Sequence, residues 1–63
     1  MRKFKELEIV EVLVPIGTAS YTYRTGIIDK YMYTFNNTDY YCVLDDLYNE
    51  LHNYPEHSII KKQ

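Results

Sequence analysis

Gly26-Ile27-Ile28-Asp29-Lys30-Tyr31-Met32-Tyr33, then Asn36-Asn37-Thr38-Asp39, then Tyr40-Tyr41-Cys42-Val43-Leu44 occupy the middle of the chain. Branched and aromatic side chains suit a pleated sheet, while Asn, Thr and Asp supply local hydrogen bonds and tolerate positive φ. Two runs of the first kind around a cluster of the second read as a β-hairpin, the centre of the fold. Its second arm is apolar on both faces, with Tyr40, Cys42 and Leu44 on one and Tyr41 and Val43 on the other. A strand covered on both sides is central in its sheet.

Upstream, Leu7 to Val14 carries four β-branched residues and places Val10, Val12 and Val14 on one face, a first strand that Pro15 ends by removing a ladder donor. Residues Met1 to Glu6 are charged and expected to fray. Ile16 to Thr25 is small and polar apart from its tyrosines, which reads as a long loop or as a hairpin arm that doubles back, with Gly26 opening the second strand. Downstream of the Asp45-Asp46 stop, Leu47, Leu51 and Tyr54 fall at helical spacing after a possible Asp cap, yet the segment is only two turns long, so Leu47 to Tyr54 fits strand or helix. Pro55 closes it, and Ser58 to Lys62 forms a last short strand with a basic end.

Sixty-three residues allow one domain, and a chain of that size buries only about 60% of its unfolded surface, so its core is thin. With 46% hydrophobic and 25% charged residues it is a folding sequence and not a disordered one. Eight of its residues are tyrosines and none is Trp, which suits half-buried positions where the ring packs and the hydroxyl stays wet. The net charge of −2, with acids gathered from Asp39 to Glu56, counts against binding driven by phosphate contacts. A lone Cys42 in a strand reads as a small buried hydrophobe in a reducing compartment. No signal peptide precedes the first strand and no apolar run approaches the ~18 residues of a bilayer span, so the expected location is cytoplasmic, without a membrane partner. Asn36-Asn37-Thr38 matches a glycosylation sequon but is read as the hairpin turn.

Strand, long loop, strand, short turn, strand, irregular piece, proline turn and short strand, over Val10 to Lys61, resembles the SH3-like barrel. Tyr54-Pro55-Glu56-His57-Ser58-Ile59-Ile60 is similar to the passage in which those barrels make a one-turn 3-10 helix before the closing strand, and Thr25-Gly26-Ile27-Ile28 resembles the second strand of small bacterial members. Ala19-Ser20-Tyr21-Thr22-Tyr23 resembles the Ala-Leu-Tyr-Asp-Tyr motif of signalling SH3 domains, but the groove Trp is absent and Arg24-Thr25-Gly26-Ile27 replaces the acidic residues after that motif. The resemblance implies an all-β chain, a single SH3-like domain over residues 1–63: a small barrel of about five short strands with a 3-10 or short helical turn before the last. It does not imply proline-peptide binding.

Chemistry-bearing residues are sparse. His52 and His57 straddle Pro55 and Cys42 lies elsewhere, short of the paired ligands zinc requires, so no metal or other cofactor is expected. Asp45 and Asp46 read as a solvated strand end that caps the next segment; a working acid and base need a cleft that separates their pKa values. No catalytic residue is assigned. The suggestive set is aromatic: Tyr21 and Tyr23 share a side if extended, as do Tyr31 and Tyr33, and a long loop folded over the second strand would join them in one surface. Tyr21, Tyr23, Arg24, Tyr31, Tyr33 and Tyr54 are the candidate binding residues, with Arg24 able to pair with a carboxylate or stack on a ring.

The function expected from these features is a non-enzymatic interaction protein that docks on another protein through a tyrosine surface. Richness in Asn, Tyr, Ile and Lys fits an AT-rich bacterial or phage genome, where small proteins act as accessory or inhibitory factors. Single-stranded nucleic-acid binding, with tyrosines stacking on bases, is the alternative that the acidic balance disfavours; imitation of nucleic acid by the acidic run is another. Monomer and homodimer both fit the sequence.

Overall fold

Strand-forming residues dominate the computed structural model, which describes residues 2–62. Among the described residues five strands, β1 (Ile9–Pro15), β2 (Tyr21–Phe35), β3 (Thr38–Asp45), β4 (Leu51–Pro55) and β5 (Ile59–Lys61), are joined with a single 3-10 turn (Glu56–Ser58) before the last. All pair antiparallel in one sheet of order β4-β3-β2-β1-β5. The chain is therefore all-β, with β3 internal as its two-sided apolar pattern requires. The barrel does not close: β4 and β5 remain the two edges of the sheet. No helix among the described residues is long and apolar enough to cross a membrane.

The central hairpin turns at Asn36 and Asn37, whose φ values of 52° and 63° sit between the paired residues Phe35 and Thr38. Two successive left-handed residues make the tight turn whose twist matches the strands, and Asn tolerates that conformation better than most residues. β2 starts earlier than expected. Tyr21 to Thr25 pairs with Pro15 to Glu11 in an unbroken ladder, and Ile16 N–H donates to the Ser20 carbonyl at 3.0 Å, so the connection spans only residues 16–20. The doubling-back arm is thus the correct reading and the long loop is not; Thr and Tyr extend readily once a partner strand lies beside them.

Inside the curve of the sheet, Val10 and Val12 of β1, Ile28 of β2, Tyr41 and Val43 of β3 and Ile59 of β5 are buried, with Val14, Tyr31 and Tyr54 packed against them. Gly26 permits this packing, since a Cβ there would come within 2.6 Å of Val43 Cγ1 and 3.0 Å of the Leu44 carbonyl oxygen. Phe4 completes the core and corrects the expectation of a frayed start. Its ring meets Tyr41 edge-on at 5.3 Å, and the N–H groups of Lys3 and Phe4 donate to the Tyr41 hydroxyl at 3.2 and 3.4 Å. That hydroxyl is the reason: an inward Tyr needs a partner for its polar tip, and the segment before β1 supplies two donors. Met1, also expected to fray, lies outside the described residues.

The ambiguous segment resolves into a turn and a strand. Asp45 Oδ1 accepts the N–H groups of Leu47 and Tyr48 at 2.8 and 3.1 Å, Asn49 takes a φ of 57°, and Asp45 N–H donates to the Glu50 carbonyl at 2.7 Å to close the hairpin into β4. Asp45 does cap this turn, but it is buried and not solvated. Tertiary pairing with β3 overrides the weak helical spacing, as it commonly does in a segment too short to hold a helix alone.

Candidate interaction surface

Period-two alternation gives each strand an inner and an outer row, and residues opposite each other across an antiparallel pair share a face. On β1 and β2 the inner row is Val10, Val12 and Val14 against Gly26, Arg24 and Thr22; the outer row is Ile9, Glu11, Leu13 and Pro15 against Ile27, Thr25, Tyr23 and Tyr21. Ile27 stands opposite Leu44, and Leu44 opposite Leu51. One apolar row, Ile9–Ile27–Leu44–Leu51, therefore crosses four strands on the outer face. Its ends Ile9 and Leu51 are 53% and 56% exposed; Tyr23 and Tyr21, 55% and 63% exposed, lie farther along the same face, beyond the Glu11–Thr25 pair, where Lys62 Nζ donates to Thr25 Oγ1 at 3.1 Å. Leu47, 71% exposed, joins Tyr23 and Thr25 around a shallow depression of about 340 Å³.

The six candidate binding residues do not form one surface. Tyr21 and Tyr23 lie on the outer face as a pair. Tyr31 and Tyr33 do not share a side, because β2 bulges at Asp29 and again at Met32: Tyr31 stands opposite Tyr41 and Tyr33 opposite Tyr40, neighbours that point to opposite faces. Tyr31 turns inward, edge-on to Tyr41 at 6.0 Å, with its hydroxyl 2.6 Å from Thr34 and the Arg2 guanidinium 3.6 Å above its ring. Tyr33 turns outward and stacks on Tyr40 at 5.1 Å. An extra residue in one strand reverses the parity of everything beyond it, which simple alternation along β2 does not anticipate.

Arg24 and Tyr54 meet in a third place, a cleft of about 420 Å³ on the inner side, whose wall also includes Val14, Tyr48, Glu50 and His52. Arg24 Nη1 donates to Asp45 Oδ2 at 3.3 Å while its guanidinium lies 4.5 Å over the Tyr48 ring, so the expected carboxylate pairing and ring stacking are both made within the chain. Burial pushes the Asp45 carboxyl up, but the N–H groups of Tyr48 and Leu47 and the Arg24 charge outweigh it and hold the group below its ordinary value. Asp45 is thus ionised with its oxygens engaged, and it anchors the turn. Burial pushes the Tyr54 hydroxyl up, aided by the Asp45 charge, so that ring stays neutral. Burial also raises the Cys42 thiol, which keeps it protonated in its strand. His52 Nε2 lies 3.2 Å from Glu50 Oε1. Among the described residues no group of three His, Cys, Asp or Glu side chains is placed to hold a metal ion.

Four residues of the outer surface, Ile9, Ile27, Leu44 and Leu51, are absent from the candidate set. Part of the signal was available, since Ile9 falls on the side of β1 opposite Val10, Val12 and Val14; the cross-strand registers that align it with the other three were not. No family model, curated protein or solved structure matches the chain.

Proposed function

We propose that this chain is a non-enzymatic interaction protein that docks on another protein through the outer face of its sheet. The observation that supports this reading is the four-strand apolar row, exposed at Ile9 and Leu51 and half-buried between them, with exposed Tyr23 and Tyr21 on the same face beyond Thr25. Soluble monomers rarely leave a contiguous apolar patch above a few hundred Å² exposed unless something covers it. Tyrosines at such a border supply contact area at low entropic cost and are enriched at binding hot spots. The order of strands and the 3-10 turn further support a fold-level kinship with SH3-like barrels, which carries no function with it.

The test is capture from a lysate of the source cell by the wild type, Ile9→Lys and Tyr23→Ala, with Tyr33→Ala as the control away from the row. All four should melt within a few degrees of one another, because these positions are half exposed. The row variants should lose the main captured protein and the control should keep it. Retention of the same protein by both row variants would overturn the reading.

Binding of single-stranded nucleic acid draws support from one feature, the outward Tyr33–Tyr40 stack with Lys30 in the next outer position of the same strand pair. An oligonucleotide titration at low salt separates the two: salt-sensitive binding lost in Tyr33→Ala, with no protein captured, would favour the nucleic-acid reading.

A further inference from the structure

The open edge of β4 is unlike the open edge of β5. β5 is only three residues long, Ile59–Lys61, too short to template a strand, and its lysines are engaged within the chain, Lys61 Nζ 3.8 Å from Glu8 Oε2 and Lys62 Nζ donating to Thr25 Oγ1 at 3.1 Å. β4 reads Leu51-His52-Asn53-Tyr54-Pro55 and carries no Lys, Arg, Asp or Glu. Its hydrogen-bonding phase is set by the bond that opens it, Asp45 N–H to Glu50 O. Along an antiparallel ladder the bonded residues alternate, so Glu50, His52 and Tyr54 face β3. The N–H and C=O of Leu51 and Asn53 and the C=O of Pro55 then face outward without a strand to meet them. Pro55, which has no N–H, occupies one of those outward positions, where a missing donor costs the sheet nothing.

Charge decides what fits this edge. Glu50 precedes β4, Glu56 comes directly after it, and Asp46 sits in the turn beside it. Arg24, the nearby guanidinium, is already paired with Asp45, and Lys30 lies on β2, two strands in from the edge. His52 is the only basic side chain on β4, and it is 3.2 Å from Glu50. On the inner side of the edge lies the cleft with Glu50, Tyr54 and Tyr48 in its wall; on the outer side lies Leu51.

We infer that β4 is a docking edge that takes an extended, basic segment of a partner protein as a sixth strand. This rests on the protein-partner reading above but uses a different surface from the outer row. The segment's main chain pairs with Leu51, Asn53 and Pro55; its alternate residues point to the two faces, cationic ones toward Glu50, Glu56 and the tyrosine rings, apolar ones toward Leu51.

The probe is acetyl-(Lys-Val)4-amide, with acetyl-(Glu-Val)4-amide and acetyl-(Lys-Pro)4-amide as comparisons; the last keeps the charge but lacks half of the backbone donors. Binding is read by fluorescence anisotropy, and amide exchange by NMR. The Lys-Val peptide should bind, and it should slow exchange at Leu51 and Asn53. Asn53→Pro removes one outward donor, leaves the β3 ladder whole, and should weaken binding at least tenfold without shifting the melting temperature by more than a few degrees. The inference fails if Asn53→Pro binds as the wild type does, if the Lys-Pro peptide binds equally well, if no Lys-Val binding is seen, or if Leu51 and Asn53 are unprotected in the complex. Protection that instead grows with protein concentration in the absence of peptide would assign the edge to a second copy and overturn the inference. None of these results touches the outer-row variants Ile9→Lys and Tyr23→Ala, so the two readings stand or fall separately.

Discussion

Replacing Phe4 with Ala tests whether the segment before β1 is part of the folded unit. Phe4 is 4% exposed and its ring is edge-on to Tyr41, which is itself fully buried. Burying a side chain of this size contributes about 1.5–3 kcal/mol and a favourable aromatic pair about 0.5–1.5 kcal/mol more. Core Phe-to-Ala changes cost about 3–5 kcal/mol, and the lower end applies here because the segment before β1 belongs to no strand and detaches instead of holding open a cavity. Detachment also strips the Tyr41 hydroxyl of its two backbone donors. A loss of about 3 kcal/mol is large beside the roughly 3–9 kcal/mol that a domain of this length holds in total. The melting temperature should fall by about 12–24 °C, at roughly 4–8 °C per kcal/mol. Urea titration followed by circular dichroism measures the free energy directly, and Phe4→Leu, which keeps most of the apolar volume, should recover most of the loss. A cost below about 1 kcal/mol for Phe4→Ala would refute the docking of this segment, since that is the scale of an ordinary surface change.

Gly26→Ala should destabilise by about 1–3 kcal/mol in the same titration, because the new methyl meets Val43 Cγ1 and a carbonyl oxygen of the backbone that cannot yield freely. At the exposed hairpin turn, Asn37→Val should cost about 1–2 kcal/mol through the left-handed backbone alone, with an unchanged denaturant slope. The Asp45 carboxyl titrates below its unfolded value, so its stabilising contribution is complete above the ordinary carboxylate range and is lost as pH falls through the depressed folded value. Asp45→Asn should therefore lower stability at neutral pH and flatten the acid side of the stability-against-pH curve; an acid limb as steep as that of the wild type would show that Asp45 does not set it.

Local signals in this chain are mostly short-range, and these were legible. The Asn36-Asn37 turn, the inward Val10-Val12-Val14 row and the two-sided apolar β3 each arise from neighbouring residues, because backbone conformation and period-two alternation are set within a few positions, whereas the 3-10 turn after Pro55 was implied only by the resemblance to SH3-like barrels. The candidate site was legible only in part. Tyr21 and Tyr23 were correctly placed together, since nothing interrupts the alternation between them.

What tertiary structure alone decided depends on partners far away in the chain. Tyr31 and Tyr33 part company because of register shifts against β3, and Arg24 is engaged because Asp45, 21 residues on, turns inward beside it. Phe4 joins the core through the hydroxyl of Tyr41, 37 residues away. The strand Leu51–Pro55 wins over a helix only because β3 offers it a ladder. The sequence by itself determined β1, the later part of β2, β3, the last short strand and where the central hairpin turns; the pairing registers decided which side chains reach the surface together, because one extra residue at a bulge reverses every face beyond it and leaves the local pattern unchanged.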